Sequence, residues 1–330
     1  MTYALAGVDL AAAEDNVRRI ARHVRSTHGP AVIGGFGAFA GLFHLEGVSD
    51  PVLVASTDGV GSKVLLGVQL GRYEVLGRDL VNLSVNDVLT AGARPLFFLD
   101  YVGVHAIEPA VMDALVSGMA AACRDNECAL LGGETAQLAD LYASGHLDLA
   151  GTLVGVVERG AEIDGSRVQV GDRVWGLPST GLHTNGFSLA RQVIAGLDLA
   201  SDPGGRLGQS LGDALLAPHP SYYPRLKPLL PRLNAIAHIT GGGIAGNLPR
   251  VLPDSVSVEL QWGAWSVPPI FGLLQDLGGI SDGEMRRVFN LGLGLIFLAA
   301  PDFDPRLDCP SAIEVGGVVP RASQRVVFRR

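Results

Sequence analysis

Apolar and polar positions change period several times along the chain, and each change marks an element. Val17, Ile20, Ala21 and Val24 recur at helical spacing with Arg18, Arg19 and Arg22 between them, which predicts an amphipathic helix near the start. Val52-Leu53-Val54-Ala55 is a short apolar run that reads as a strand. Residues 79–91 read as a helix, 96–101 as a strand, 110–123 as a helix and 129–131 as a strand closing on Gly132-Gly133. A long strand is expected over 149–157, and residues 41–45 look like a strand rather than a helix. Strands alternating with helices predict an α/β, or α+β layered, domain.

Residues 158–171 break this pattern with polar and charged positions and three glycines. Arg173-Val174-Trp175-Gly176-Leu177 then opens a new strand–loop–helix pattern. Two domains are therefore expected, residues 1–165 and 166–330, which suits a chain of 330 residues at roughly 100–200 residues per domain. In the second half Asp202-Pro203-Gly204-Gly205 is a strong turn signal, 282–288 reads as a helix and 291–298 as an apolar strand.

Composition narrows the function classes. A net charge of −8 argues against a nucleic-acid protein, which needs a basic surface, but leaves room for a small anionic ligand in a local site. The cysteines Cys123, Cys128 and Cys309 match no disulfide framework and no zinc spacing, so they read as buried thiols in a reducing compartment. The N-terminus lacks the pattern of a signal peptide. The longest apolar run, residues 291–300, is about half of the ~20 residues a membrane span needs. A cytoplasmic protein without membrane contact is expected.

Several segments carry candidate chemistry. Ser56-Thr57-Asp58-Gly59-Val60-Gly61-Ser62-Lys63 follows the first strand. Asp58 suits Mg²⁺, which takes carboxylate oxygens together with substrate phosphates. Gly59 and Gly61 allow close backbone approach, and Lys63 can offset phosphate charge. The segment is not a Walker A loop, because Lys63 follows serine; a plain turn with a surface Asp–Lys pair is the competing reading. Wound as a helix, Asp79, Asn82, Asn86 and Asp87 fall on one stripe interrupted by Leu83, opposite Val81, Val85 and Val88. Asn and Asp are poor helix formers, so the stripe suggests oxygen ligands facing a metal; a solvated face is the alternative. Glu134 follows the Gly132-Gly133 pair, and Asp100 closes its own strand, in the position where α/β folds bind ligands. Either a flap over a nucleotide or a plain loop fits the glycine-rich stretch with Gly34, Gly35 and Gly37. In the second half, the turns holding His183, Thr184 and Asn185, and Thr240-Gly241-Gly242-Gly243, lead into helices, whose free backbone N–H groups suit anions. Asn247 is a candidate N-cap, His183 a candidate acid or phosphate contact, and His238 reads as packing.

Taken in order, these segments resemble the phosphoribosylformylglycinamidine cyclo-ligase (aminoimidazole ribonucleotide synthetase) family over nearly the whole chain. The resemblance is carried by Tyr3 with residues 6–9, Ile33-Gly34-Gly35-Phe36-Gly37, residues 56–63, 79–82 with 85–87, and 95–101. It continues through Gly132-Gly133-Glu134-Thr135-Ala136, residues 181–188, Thr240-Gly241-Gly242-Gly243, Asn247 with 249–253, and Glu284-Met285 with Phe289-Asn290. The family usually has Thr where Ser62 stands, Met-Pro where Leu138-Ala139 stands, and Met or Cys near Leu291; none of these changes removes a charged group.

The resemblance implies ATP-dependent closure of formylglycinamidine ribonucleotide to aminoimidazole ribonucleotide, with release of ADP and phosphate, in purine biosynthesis. It implies a mixed-sheet N-terminal domain that binds ATP and forms a barrel with a second copy in a homodimer, followed by an α/β sandwich domain. On this reading Mg²⁺ is required and is held by Asp58, Asp87 and Glu134, with Lys63 on phosphate and His183 stabilising the transferred phosphoryl. Gly34, Gly35, Gly37, Thr57, Asp58, Gly59, Gly61, Ser62, Lys63, Asn82, Asn86 and Asp100 are expected at the nucleotide. His183, Asn185, Thr240, Gly241, Gly242, Gly243 and Asn247 are expected at the substrate. Relatives acting on thiamine phosphate, on selenide or one step earlier in purine synthesis are the enzyme alternatives. A non-catalytic nucleotide sensor is the alternative of another class.

Overall fold

The computed structural model of the chain describes residues 10–329, so Tyr3 and residues 6–9 lie outside the described residues. The chain divides into two compact units. The first runs up to Val88 and resumes over Arg94–Arg159; the second takes Leu89–Ala93 and the chain from Gly160 onward.

The first unit holds α1 (Leu10–Arg25), β1 (Val32–Ile33), β2 (Leu42–Phe43), β3 (Pro51–Gly59), α2 (Lys63–Gln69), α3 (Tyr73–Leu89), β4 (Arg94–Val104), α4 (Pro109–Asp125), β5 (Ala129–Gln137) and β6 (Leu147–Glu158). Four strands form a mixed sheet in the order β3-β6-β4-β5. Strand β6 is antiparallel to β3 and β4, and β4 is parallel to β5. The sheet is open in the single chain. Helix α1 is tied to α4 by Arg22 and His23, both on the Asp113 carboxylate at 3.1 and 3.0 Å. Of its expected stripe, Ile20, Ala21 and Val24 are buried, as the amphipathic pattern predicts, while Val17 is exposed.

Two strands run further than their apolar runs. β3 continues through Thr57, Asp58 and Gly59, and β5 through Glu134 to Gln137, because neighbouring strands supply ladder partners: Gly59 pairs with Ala150, and Gln137 with Val104. Backbone hydrogen bonding extends a strand past the point where side-chain pattern fades. The strand expected over 41–45 shrinks to the two residues of β2, paired only with β1.

The second unit holds β7 (Arg173–Pro178), α5 (Phe187–Val193), α6 (Leu211–Leu215), α7 (Tyr223–Leu226), β8 (Leu233–His238), α8 (Gly243–Asn247), β9 (Val256–Gln261), α9 (Pro269–Gly278), α10 (Asp282–Val288), β10 (Leu293–Ala299), β11 (Ile313–Pro320) and β12 (Val326–Arg329). Its six strands lie in the order β12-β9-β11-β7-β10-β8, all antiparallel except β12 beside β9. All seven residues of β10 are buried. Strand β10 lies between β7 and β8, which run parallel to each other and end on the same edge of the sheet. That edge carries the loops holding His183 and Thr240. Both units are mixed α/β, as expected, and the predicted turn at 202–205 is a short 3₁₀ turn over Pro203–Gly205.

Candidate functional site

In the first unit the candidate side chains sort by face. Directly paired residues of neighbouring strands share a face of the sheet. Asp58 pairs with Gly151, Gly151 with Asp100, and Asp100 with Gly133, so these four form one row across β3, β6, β4 and β5. Gly133 must be bare: a Cβ there would lie 2.2 Å from Asp100 Oδ1. Gly59, Ala150, Tyr101 and Glu134 form the next row, on the opposite face. Glu134 therefore points away from the side that Asp58 and Asp100 occupy.

Asp58 is exposed near the end of β3, and its Oδ1 accepts from the Gly59 amide at 2.7 Å. Two residues earlier on the same face, the Ser56 hydroxyl donates to Asp87 Oδ2 at 2.9 Å, which brings the half-buried Asp87 of α3 to β3. Thr57 points the other way and shares a 2.7 Å hydrogen bond with Thr152. Asp58, Asp87 and the Ser56 hydroxyl form an oxygen-only donor set. That set fits Mg²⁺, which binds through one or two carboxylates and completes its shell with phosphates and water. Among the described residues, no three His, Cys, Asp or Glu side chains gather at metal-binding spacing, so Asp58, Asp87 and Glu134 do not form one cluster in the single chain.

Apart from Asp87, the polar stripe of α3 is buried rather than facing an open metal site. Lys63, the first residue of α2, is wholly buried, and its Nζ lies 2.5 Å from the equally buried Asp79 Oδ2. Asn82 accepts from Asn126 Nδ2 at 3.0 Å, where α4 ends. Asn86 is buried too, while Val81, Val85 and Val88 fill the opposite side. A helix enclosed on all sides can keep Asp and Asn only where partners satisfy them. Lys63 is thus a buried partner of Asp79 at the start of α2 and not half of a surface Asp–Lys pair. Gly34, Gly35 and Gly37 lie in an exposed or half-buried loop between β1 and β2, with Gly34 and Gly37 at positive φ. Gly61 also has positive φ, and Ser62 precedes α2 without a side-chain capping bond.

Asp100 is half-buried on β4. Burial first, and then the Glu134 charge, push its carboxyl up to about 7, against a backbone hydrogen bond that lowers it.

In the second unit the two glycine loops meet. The Gly241 amide donates to Asn185 Oδ1 at 2.9 Å. Asn247 is the last residue of α8 and does not cap it; Gly242, in the left-handed region, stands at that helix start. The Asn247 amide instead reaches back to the carbonyls of Thr240, Gly241 and Gly243 at 3.2, 3.2 and 2.9 Å and ties the loop shut. Asn290 joins the first loop from the other side, donating to Gly181 O at 2.8 Å and accepting from Ser179 Oγ at 2.8 Å.

His183 is fully buried with φ of +62°, a conformation that costs a non-glycine residue and is common at functional sites. Its ring stacks on His219 at 4.1 Å, and His219 Nε2 meets His238 Nε2 at 3.1 Å. Gly294 of β10 leaves the necessary room, since a Cβ there would lie 2.3 Å from His183 Cε1 and 2.0 Å from the Tyr222 hydroxyl. Burial holds the Tyr222 phenol above its ordinary range, so it stays neutral beside the histidines. His219 and the bond from His238 were invisible in the sequence: 19 residues separate the two rings and no period links them.

The comparisons with known proteins follow this geometry. Two family models match, AIR synthase related protein, N-terminal domain, over residues 39–157, and AIR synthase related protein, C-terminal domain, over residues 169–327. Among solved structures of this fold, the thiamine-monophosphate kinase from Stenotrophomonas maltophilia K279a has a TM-score of 0.68 at 20% identity, covering 96% of this chain and 95% of that one. Hydrogenase maturation protein HypE in complex with ATP has a TM-score of 0.67 at 16% identity, covering 93% and 88%. Fold and paired domain models together define a two-domain protein of the AIR synthase-related class. The relatives are more specific. Phosphoribosylformylglycinamidine cyclo-ligase of Sorangium cellulosum (strain So ce56) is 48% identical over 304 residues, 90% of this chain and 87% of that protein. Its namesake in Myxococcus xanthus (strain DK1622) is 48% identical over 308 residues, 91% and 89% of the two. The chain belongs to the phosphoribosylformylglycinamidine cyclo-ligase family.

Proposed function

We propose that the chain is an ATP-dependent ligase that closes formylglycinamidine ribonucleotide to aminoimidazole ribonucleotide, releasing ADP and phosphate, in purine biosynthesis in the cytoplasm. The observation that carries this reading is the cyclo-ligase likeness at 48% identity across both units, laid over an acidic edge of Asp58, Ser56 and Asp87 suited to a nucleotide's phosphates. Among the described residues no helix is long and apolar enough to cross a membrane.

The formamide oxygen of the substrate is a poor leaving group. The γ-phosphoryl passes from ATP to that oxygen, and ADP departs with the bridging oxygen. The neighbouring amidine nitrogen then attacks the former formyl carbon and loses a proton. The carbon–oxygen bond breaks, and phosphate leaves with the former formyl oxygen. Such chemistry needs positioning and charge stabilisation more than covalent catalysis. Asp58 and Asp87 would hold Mg²⁺, with the Ser56 hydroxyl fixing the Asp87 carboxylate. Mg²⁺, when bound, neutralises charge on the phosphates. Gly59 and Gly61 let the backbone close on them, while the Lys63–Asp79 pair fixes the start of α2. The Asn185 and Thr240–Gly243 loops, locked by Asn247, hold the substrate, and the buried His183–His219 stack fixes the first of these loops from beneath. The domains are residues 1–165, for nucleotide, metal and dimer contacts, and 166–330. A second copy covers the outward face of the first sheet, where Leu53 and Leu99 are exposed.

The test is ADP release with formylglycinamidine ribonucleotide against thiamine phosphate and selenide as controls. Release with the ribonucleotide alone is expected; release with either control alone overturns the reading. Asp58→Asn should lower kcat by about 1,000-fold while leaving the fold intact, and full activity in that variant removes Asp58 from the metal.

A further inference from the structure

A groove of about 650 Å³ lies among α8, α10 and β12 of the second unit, and nothing in the mechanism above uses it. Of the residues expected at the substrate, only Gly242 lines it. Three arginines border it, Arg286 and Arg287 of α10 and Arg325 just before β12, and no acidic residue does. On a chain of net charge −8, such a lining is a local field that draws anions. Two of the three are already engaged. Arg287 donates twice to Glu284, at 2.9 Å each, and Arg325 pairs with Asp254 at 2.9 Å. Among the described residues the Arg286 guanidinium forms no ion pair and no hydrogen bond; it lies over two rings, 4.9 Å from the Trp262 centroid and 5.2 Å from that of Phe328.

Several elements build this corner. Trp262 follows β9, and its amide donates to Arg329 O at 2.7 Å, which fastens it to β12. The Trp262 and Phe328 rings then meet edge to face at 5.7 Å. Helix α10 brings Arg286 to both rings and is itself pressed on α8, because Gly243 is bare: a Cβ there would collide with the Arg286 carbonyl oxygen. A half-buried guanidinium set against aromatic faces has already lost much of its freedom, so a ligand that takes its donors needs little further ordering of the side chain. Pro249, Val326 and Phe328 add apolar surface, and Gly242, Gly246 and Gly283 line the groove without side chains. A Cβ on Gly246 would meet nothing within 4 Å, so the space above it is open.

The volume lies within the range of small-molecule sites. Guanidinium groups match the oxygens of carboxylates and phosphates. A phosphate monoester carries roughly two negative charges and presents three acceptor oxygens, so it can draw on more than one of the arginines, where a carboxylate offers a single charge. The apolar and aromatic lining suits a flat ring beside the anion. We propose that this groove is a second ligand site, separate from those for nucleotide and substrate, that takes a small phosphate monoester carrying a flat apolar or aromatic group, with Arg286 as its principal contact.

Phenyl phosphate is the probe, titrated calorimetrically into the full chain, with benzoate and inorganic phosphate as ligands that each lack one half of the chemistry. Phenyl phosphate should bind at least about fivefold more tightly than either; equal or tighter binding of benzoate or inorganic phosphate overturns the ligand class. Arg286→Met keeps an unbranched side chain against the two rings and removes the charge. It should weaken phenyl phosphate by at least about tenfold, and unchanged affinity in that variant overturns the role of Arg286. Hydrogen exchange on the parent chain needs no variant. Phenyl phosphate should slow exchange over residues 242–249 and 283–287, and the absence of protection there overturns the site. Saturating formylglycinamidine ribonucleotide and ADP should leave phenyl phosphate bound. Its displacement by either would make the groove part of the reaction site and overturn the proposal.

Discussion

In the second sheet every residue of β10 is buried, whereas β3 of the first sheet alternates exposed and half-buried positions from Pro51 to Thr57. Both strands are apolar in sequence, but they read differently. Residues 291–298 form a continuous apolar run, as expected of a strand covered on both faces. Along β3 the outward positions are Leu53, Ala55 and Thr57, with Leu53 63% exposed, and Leu99 of β4 is 37% exposed on the same face. The second unit thus closes its own core, while the first leaves an apolar sheet face that a further surface must cover. The closed sheet holds a buried histidine cluster at its edge. The open one carries its acidic row on the covered side and its uncovered apolar side chains on the other.

The largest effect should come from charging the open face. Leu53→Glu places a carboxylate where the proposed second copy packs, so sedimentation should show a dimer for the parent and a monomer for the variant. A dimer retained in Leu53→Glu would mean that another face joins the copies. The closed sheet offers the converse test. Gly294→Ala adds a Cβ against the Tyr222 hydroxyl and His183, and should destabilise the chain by about 1–3 kcal/mol. For a unit of this size that lowers the Tm of the second unit by roughly 2–12 °C. An unchanged Tm would show that the histidine cluster has slack.

The smallest effect is a pH dependence in the first unit. The Asp100 carboxyl titrates near 7 when folded and at its ordinary 3.8 when unfolded. Between those values the folded chain holds a proton that the unfolded chain has released, so stability falls as pH rises from about 4 to 7 and is level above. Asp100→Asn stays neutral throughout. Its Tm relative to the parent should therefore climb across that window, and a flat difference would show that Asp100 titrates like an exposed acid.

Most of the architecture was legible, for reasons that differ by element. The α1 stripe, the helix over 282–288 and the alternation of strands with helices follow from period alone. Strand ends did not, because β3 and β5 are extended by ladder partners distant in sequence, and this placed Glu134 within a strand and on the face opposite Asp58. The α3 stripe was legible as unusual but not as buried, since Lys63 and Asn126, which satisfy Asp79 and Asn82, come from other elements. The role of Asn247 was hidden for the same reason: its three carbonyl partners form a site only once the Thr240–Gly243 turn has closed.

The central claim is that ATP activates the substrate by phosphorylating its formyl oxygen. Formylglycinamidine ribonucleotide carrying ¹⁸O in the formyl group would test it most directly, with the released inorganic phosphate examined by mass spectrometry after a single turnover. The mechanism predicts one ¹⁸O atom in each phosphate formed with the imidazole product. Phosphate free of label, with the heavy oxygen found in water instead, would contradict it.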